Sequence, residues 1–400
     1  MVEFSFIWLK INFQRAMLNT QRINAFMKII IAMDSLKGSV SASLACDIIR
    51  DSLLAVHRDL SIVVIPMADG GEGTAKTLLK IRDGEWVSHN VMGPLPIQTV
   101  EAGYAWFENR AEALVEMASA SGTTLLKPEE LNPFNTTTYG TGQLVGHALE
   151  RELQKLLLAV GGSATVDGGV GMAMALGWQF LDIHGNAIGY GGRHLEQIAT
   201  IIPSENPGAP AVEVLCDVDN PLCGKTGAAH IFGPQKGATP DMVDQLDAGL
   251  HHLADCVEKE RGKKIDIPGA GAAGGLAAGA MAFLDAELVS GIETIISVNG
   301  LKDEIQNADW IITGEGRFDA QSLHGKVVSG IVNLAQETKT QVAIIAGSTQ
   351  ISEQQYKQWG IEIVLSCQKE DMTTEYAIEH SETLLRNTTR DLAEHYLKLP

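Results

Sequence analysis

Residues 28–33 read KIIIAM, an apolar run without polar alternation. Such a run suits a strand covered on both faces of a parallel sheet. It breaks at DSLKGSVS (34–41), and Leu44, Ile48, Ile49, Leu53 and Val56 then recur at helical spacing. The spacing predicts a helix over 42–56, with Ser39 or Ser41 available as its N-cap. SIVVIP (61–66) is the next apolar run. A strand, a helix and a strand in this order make a βαβ unit, which implies a parallel sheet. Strand-like runs return at 113–117, 156–160, 212–216, 310–313 and 342–346, with helical stretches at 142–153, 242–260 and 274–284 between them. The expected fold class is therefore α/β.

The strong strands end in clusters of Gly, Asp and Ser, and ligands of open α/β sheets sit outside the carboxyl ends of the strands. Five clusters are candidates. In MDSLKGS (33–39), Lys37 and the hydroxyls stand at a helix start. Free N–H groups and the helix dipole favour an anion there and disfavour a lysine on its own. In PMADGGEGT (66–74), Asp69 and Glu72 offer carboxylates to magnesium or to a proton. GGSATVDGGVG (161–171) places Gly161, Gly162, Ser163, Thr165, Asp167 and Gly168 after a strand, which suits a phosphate-cradling nest. Close helix packing also demands glycine and is the plainer alternative. In CDVDNP (216–221), Asp217, Asp219 and Asn220 are oxygen donors at short spacing, although a turn before proline uses the same residues. TGEGRFD (313–319), leading to HGK (324–326), brings Gly314, Glu315, Arg317, Asp319 and Lys326 to a strand end. Arg317 could fork onto a carboxylate or a phosphate; a surface ion-pair loop is the alternative.

Two further matches are weak. GKT (224–226) resembles the end of a P-loop, but Asp219 stands where its first glycine belongs. GAGAAG (269–274) fits the dinucleotide pattern after a poor strand. It keeps an NAD-dependent dehydrogenase of a small hydroxy acid as the rival reading.

Size and charge narrow the classes. A chain of 400 residues exceeds one ordinary core, so two domains are expected. The 41 glycines gather in the clusters rather than in a tail, as ligand loops would require. A formal net charge of -19 with no basic block argues against a nucleic-acid partner. The five cysteines are scattered, which suggests reduced thiols and a cytoplasmic protein. No apolar run is long enough for a membrane span. Residues 1–26 carry one short apolar run, closed by Lys10 and Arg15. They lack the order of a signal peptide and are expected to be an extension outside the fold.

Read together, the clusters resemble the glycerate kinase family in its bacterial type-1 branch. The matching segments include MDSLKGSVSA (33–42), PMADGGEGT (66–74), EMASASG (116–122), TTTYGTGQL (136–144), GGSATVDGGVGMAMALG (161–177), CDVDNPLCG (216–224), IFGPQKGAT (231–239), PGAGAAGG (268–275) and ITGEGRFDAQSLHGK (312–326). The resemblance implies phosphorylation of D-glycerate by ATP with Mg2+, 2-phosphoglycerate being the favoured product. It also implies a discontinuous Rossmann-like domain (27–91 and 290–400), an inserted α/β domain (92–289), and an active site in the cleft. From the residue types themselves, Lys37 and Arg317 are expected to bind anionic groups, and Asp167 or Asp319 to be the general base. The nucleotide is expected to lie against Gly161, Gly162, Ser163, Thr165, Gly168, Gly314, Glu315 and Lys326, and Asp69 or Asp217 to contact magnesium. A homo-oligomer is left open. Met33, Leu36 and Val166 depart from the family pattern; Val166 stands where asparagine is usual. Because a well-formed strand already begins at Lys28, a chain lacking residues 1–26 is expected to keep its melting temperature and turnover. A large loss of either in the truncated protein would make that segment structural.

Overall fold

The computed structural model describes residues 27–397 except for Lys37, 69–70, 72, 206–209 and 324–326. The extension expected over 1–26 lies outside the described residues. The chain divides into two compact units. The first comprises residues up to Pro66, Lys302–Asp319 and Ile331–Pro400; the second comprises Met67–Leu301 and Ala320–Gly330. These limits differ from the expected 91/92 and 289/290. The strand Glu85–Met92 pairs antiparallel with Thr99–Phe107, and this pairing holds 67–91 in the second unit. The helix Gly291–Val298 belongs to the second unit as well.

The first unit is a five-stranded parallel sheet in the order Ile363–Ser366, Gln341–Ala346, Trp310–Gly314, Met27–Met33, Leu60–Val64. Numbered along the chain, this is the flavodoxin-like order 2-1-3-4-5. Ile29, Ile31 and Met33 share one face with Ile312 and Ile345, packed on Ile49 and Leu53 and on Leu385 and Leu392. Alternate residues Ile30, Ile311 and Ile344 are also fully buried. The period of two therefore has no polar face, and the sequence reads as continuous apolar runs. The helix Ala42–Val56 starts where Ser41 accepts from the Leu44 amide. In this sheet order the topological switch lies between Met27–Met33 and Trp310–Gly314, where Met33 pairs with Gly314.

The second unit has a six-stranded mixed sheet in the order Glu287–Val289, Ala211–Leu215, Lys155–Ala159, Glu112–Glu116, Thr99–Phe107, Glu85–Met92. The first four strands are parallel and the last two complete an antiparallel edge. The long helix Pro240–Arg261, capped by Thr239, buries Leu246, Leu250, Leu253 and Val257 at helical spacing.

One close approach organises this unit. The helix Ala272–Leu284 opens with Ala273, Gly274 and Gly275 in the left-handed region. The Gly168 amide donates to the Gly274 carbonyl at 3.1 Å. A Cβ on Gly279 would lie 2.7 Å from the Gly169 Cα, and one on Gly274 would collide with the Thr165 carbonyl. Two glycine-rich segments thus pack backbone on backbone. No strand precedes GAGAAG (269–274), so the dinucleotide pattern there is a packing motif. Among the described residues no helix is long and apolar enough to cross a membrane.

Two glycines with the same φ of 67° separate packing from torsion. Gly262 faces open space and Gly274 faces the Thr165 carbonyl. Gly262→Ala is expected to cost about 1–2 kcal/mol from the left-handed torsion alone. Gly274→Ala is expected to cost about 1–3 kcal/mol more from the collision. Urea unfolding of both variants measures the difference, and equal losses would show that the two backbones are not held this close.

Candidate active site

In the first unit the chain leaves the switch point by two loops. The Asp34 amide donates to the Gly314 carbonyl at 2.9 Å, joining them. Gly314 is required by packing, because a Cβ there would run into the Ile345 carbonyl. The Glu315 and Gly316 carbonyls each accept at 3.0 Å, from the Gly347 and Ser348 amides. The short strand Arg317–Phe318 then pairs with Ser348–Thr349. Phe318 is fully buried and anchors the loop. On either side of it, Arg317 is 60% and Asp319 25% exposed, with Arg317 Nε 3.3 Å from Asp319 Oδ2. Arg317 Nη2 also donates to Gln350 Oε1 at 2.8 Å. The geometry leaves the guanidinium largely in solvent and steers it through two neighbours. Lys37 and Lys326 lie outside the described residues.

In the second unit the loop after Lys155–Ala159 divides the 161–171 motif in two. Gly161, Gly162 and Ser163 line a pocket of about 490 Å³, with Asp217, Gln235 and Lys236 among its other walls. Gly162, at φ 77°, takes a conformation that favours glycine. The second half of the motif turns inward. Thr165 is fully buried and is not on the pocket wall. The Gly168 amide, expected at a phosphate, is bonded to Gly274, and its Cβ position is filled by Leu253. Val166 lies in the apolar cluster with Leu195, Leu246 and Leu250. An apolar residue therefore fits where the family pattern has asparagine.

Asp167 is 1% exposed and not on the pocket wall. It accepts from the Thr138 amide at 2.8 Å, Thr138 Oγ1 at 2.9 Å and the Gly169 amide at 3.2 Å. Burial pushes its carboxyl above the usual range, and these hydrogen bonds oppose the shift. Thr138 in turn accepts from the Met172 amide. Asp167 thus ties the loop to the start of the helix Tyr139–Leu149.

Asp217, expected at magnesium, follows Ala211–Leu215 and reaches the pocket wall. Its carboxylate accepts from Ser290 Oγ at 3.0 Å, the Gly291 amide at 2.9 Å and the Ile292 amide at 3.2 Å. A negative charge at a helix N-terminus is favourable, and here it fixes the entry to Gly291–Val298. Asp69 lies outside the described residues. Among the described residues no group of three or more His, Cys, Asp or Glu could hold a metal ion.

Two residues escaped the sequence reading. Glu116, 6% exposed at the end of its strand, accepts from the Gly73 amide at 3.2 Å and the Ala75 amide at 2.5 Å. It pins the start of the helix Thr74–Ile81, directly after the PMADGGEGT loop. Its signal was an acid closing an otherwise apolar run. Lys236, 2% exposed, donates from Nζ to Ser163 Oγ and to the Thr165 carbonyl, each at 2.7 Å. Burial pulls it down to about 7, against the field of Asp167. A lysine between proline and glycines reads as a solvated turn, so its sequence context gave no sign of burial.

Comparison with known proteins supplies the family. The model of the glycerate kinase family matches residues 29–397. A glycerate kinase of Halalkalibacterium halodurans is 42% identical over 369 residues, 91% of this chain and 97% of the relative. A glycerate 2-kinase of Escherichia coli K12 is 43% identical over 344 residues, 85% of this chain and 90% of the relative. A crystal structure from Salmonella typhimurium LT2, provisionally named glycerate kinase 2, superimposes with a TM-score of 0.81 at 39% identity, covering 92% of this chain and 98% of its own. With both units and every motif-bearing loop inside the matched region, the chain belongs to the glycerate kinase family.

Proposed function

We propose that the protein transfers the γ-phosphoryl group of ATP to a hydroxyl of D-glycerate in the cytoplasm, giving 2-phosphoglycerate. The match to the glycerate kinase family across 29–397 carries this reading. The name of the Escherichia coli relative, glycerate 2-kinase, supports the 2-position. Nothing in the fold supports the dehydrogenase alternative, because its glycine pattern packs against the 165–169 backbone.

Phosphoryl transfer rests on positioning, charge neutralisation and a proton acceptor for the attacking hydroxyl. The pocket bounded by Gly161, Gly162 and Ser163 suits the nucleotide, because a wall of glycine backbone lets a phosphate approach closely. Arg317, largely exposed and steered by Asp319 and Gln350, suits an anionic group. Asp319 is favoured as the proton acceptor over Asp167, whose oxygens are held by Thr138 and Gly169 away from the pocket wall. Magnesium accompanies ATP in this chemistry. The described residues do not fit a metal held by the protein, because Asp217 already caps a helix. The proposed steps therefore use protein groups alone.

The direct test is ADP release on mixing D-glycerate with MgATP, with the product read by phosphorus NMR. Turnover with NAD and glycerate, and none with ATP, would overturn the reading. Asp319→Asn is expected to lower kcat by about 10²–10⁴-fold at an unchanged melting temperature. Asp167→Asn turns an amide towards donors and is expected to cost about 1–3 kcal/mol of stability. Paired turnover and unfolding measurements on both variants separate the roles. A thermally intact Asp167→Asn enzyme with collapsed kcat would return the proton acceptor to Asp167.

A further inference from the structure

Lys236 occupies a position where a lysine is costly. It closes the short 3₁₀ turn Pro234–Lys236 and is 2% exposed. Buried ammonium groups are ordinarily matched by a counter-charge. Among the described residues Lys236 makes no ion pair, and both of its hydrogen bonds go to neutral oxygens, Ser163 Oγ and the Thr165 carbonyl. An ammonium carries three donors, so one is left for an acceptor from outside the chain. Ser163 receives a hydrogen bond from Lys236 and keeps its own O–H to donate. Both residues line the same pocket as Gly161 and Gly162. The pocket supplies a cation, a hydroxyl and glycine backbone, and it leaves that cation for an anion of the ligand, because Asp217 on the same wall is engaged by Ser290, Gly291 and Ile292.

Its dimensions say which anion. A volume of about 490 Å³ with Val160, Leu215 and Phe232 on its walls exceeds what a three-carbon acid fills and offers apolar surface for a base. We propose that Lys236 and Ser163 together hold a phosphoryl group of the nucleotide in this pocket, Lys236 being a cation that the ligand itself completes. This rests on the reading of the chain as an ATP-dependent kinase.

The electrostatics agree. Burial draws Lys236 down to about 7. Among the described residues the charged groups around it are Asp167, whose field raises it, and Asp217 on the pocket wall. An arriving phosphate favours the ammonium, so binding takes up a proton. Affinity for the nucleotide falls as pH rises above about 7 and the free-state ammonium is lost.

The test is calorimetric titration of the full-length enzyme, Lys236→Met and Ser163→Ala with ADP, alongside glycerate kinetics and thermal unfolding. Lys236→Met is expected to weaken ADP by at least roughly tenfold, the size of a lost charge-assisted hydrogen bond. It should leave KM for glycerate unchanged and flatten the decline of ADP affinity above neutral pH. Its melting temperature should hold or rise, since an apolar chain replaces a buried charge. Ser163→Ala keeps the ammonium and should weaken ADP to a smaller degree; it decides the matter if Lys236→Met fails to fold. Unchanged ADP affinity in the folded variants of an enzyme that still phosphorylates glycerate would overturn the inference alone. So would a defect confined to glycerate. A wild-type enzyme that binds no ADP would overturn the kinase reading and this inference with it.

Discussion

The contact between two backbones, 165–169 and 272–279, is the constraint on which the second unit turns. Side chains normally keep such segments apart; here glycines at Gly169, Gly274 and Gly279 remove that spacing, and the Gly168–Gly274 hydrogen bond fixes it. Once that approach is set, the loop after Lys155–Ala159 has one course. Its first four residues, 160–163, are left at the pocket wall and the rest is locked into the core. Ala273, a non-glycine residue at φ 54°, is held in an unfavourable torsion at the same pocket wall. Strain of this kind persists only where the surroundings over-determine it.

The acidic residues show a second economy of design. Asp167, Asp217 and Glu116 each accept two or more hydrogen bonds, including backbone amides of a neighbouring loop or helix start. Each therefore works as a fastener between elements distant in sequence. In a chain of net charge -19, these carboxylates hold loops in place by accepting from amides and hydroxyls, including Asp217 on the pocket wall. That leaves the pocket less hostile to a polyanion than the overall charge suggests.

The α/β class, the parallel runs and the loop clusters were legible because continuous apolar strands and helical periodicity are local signals. The edge strands Glu85–Met92 and Thr99–Phe107 were not foreseen. Ser88, Asn90 and Glu101 interrupt them, and Gly103 adds a residue that weakens any strand pattern. The same hairpin places 67–91 in the second compact unit, a grouping that no local signal in 67–91 announces. The 161–171 motif was half legible. Glycine that lines a pocket and glycine needed for packing look identical in sequence, and only the partner backbone at 272–279 tells Gly162 from Gly168. Lys236 was invisible because burial is a property of the surroundings and not of the residue.

The threading of the first unit has a consequence for biosynthesis. Its strand Met27–Met33 pairs with the central strand Trp310–Gly314, and the side-chain bond from Thr313 to the Ala32 carbonyl spans 281 positions. A ribosome adding roughly 5–20 residues per second needs on the order of 15–60 s to deliver that partner. Through this interval the apolar run Ile29–Ile31 has the helix Ala42–Val56 and the strand Leu60–Val64 for cover, while the intervening 67–301 emerges as an almost complete folding unit. The edge of Met27–Met33 that takes Trp310–Gly314 thus stays unpaired until nearly the last quarter is made. A chaperone that shields the amino-terminal strands during translation would therefore affect yield more than one acting on the finished protein.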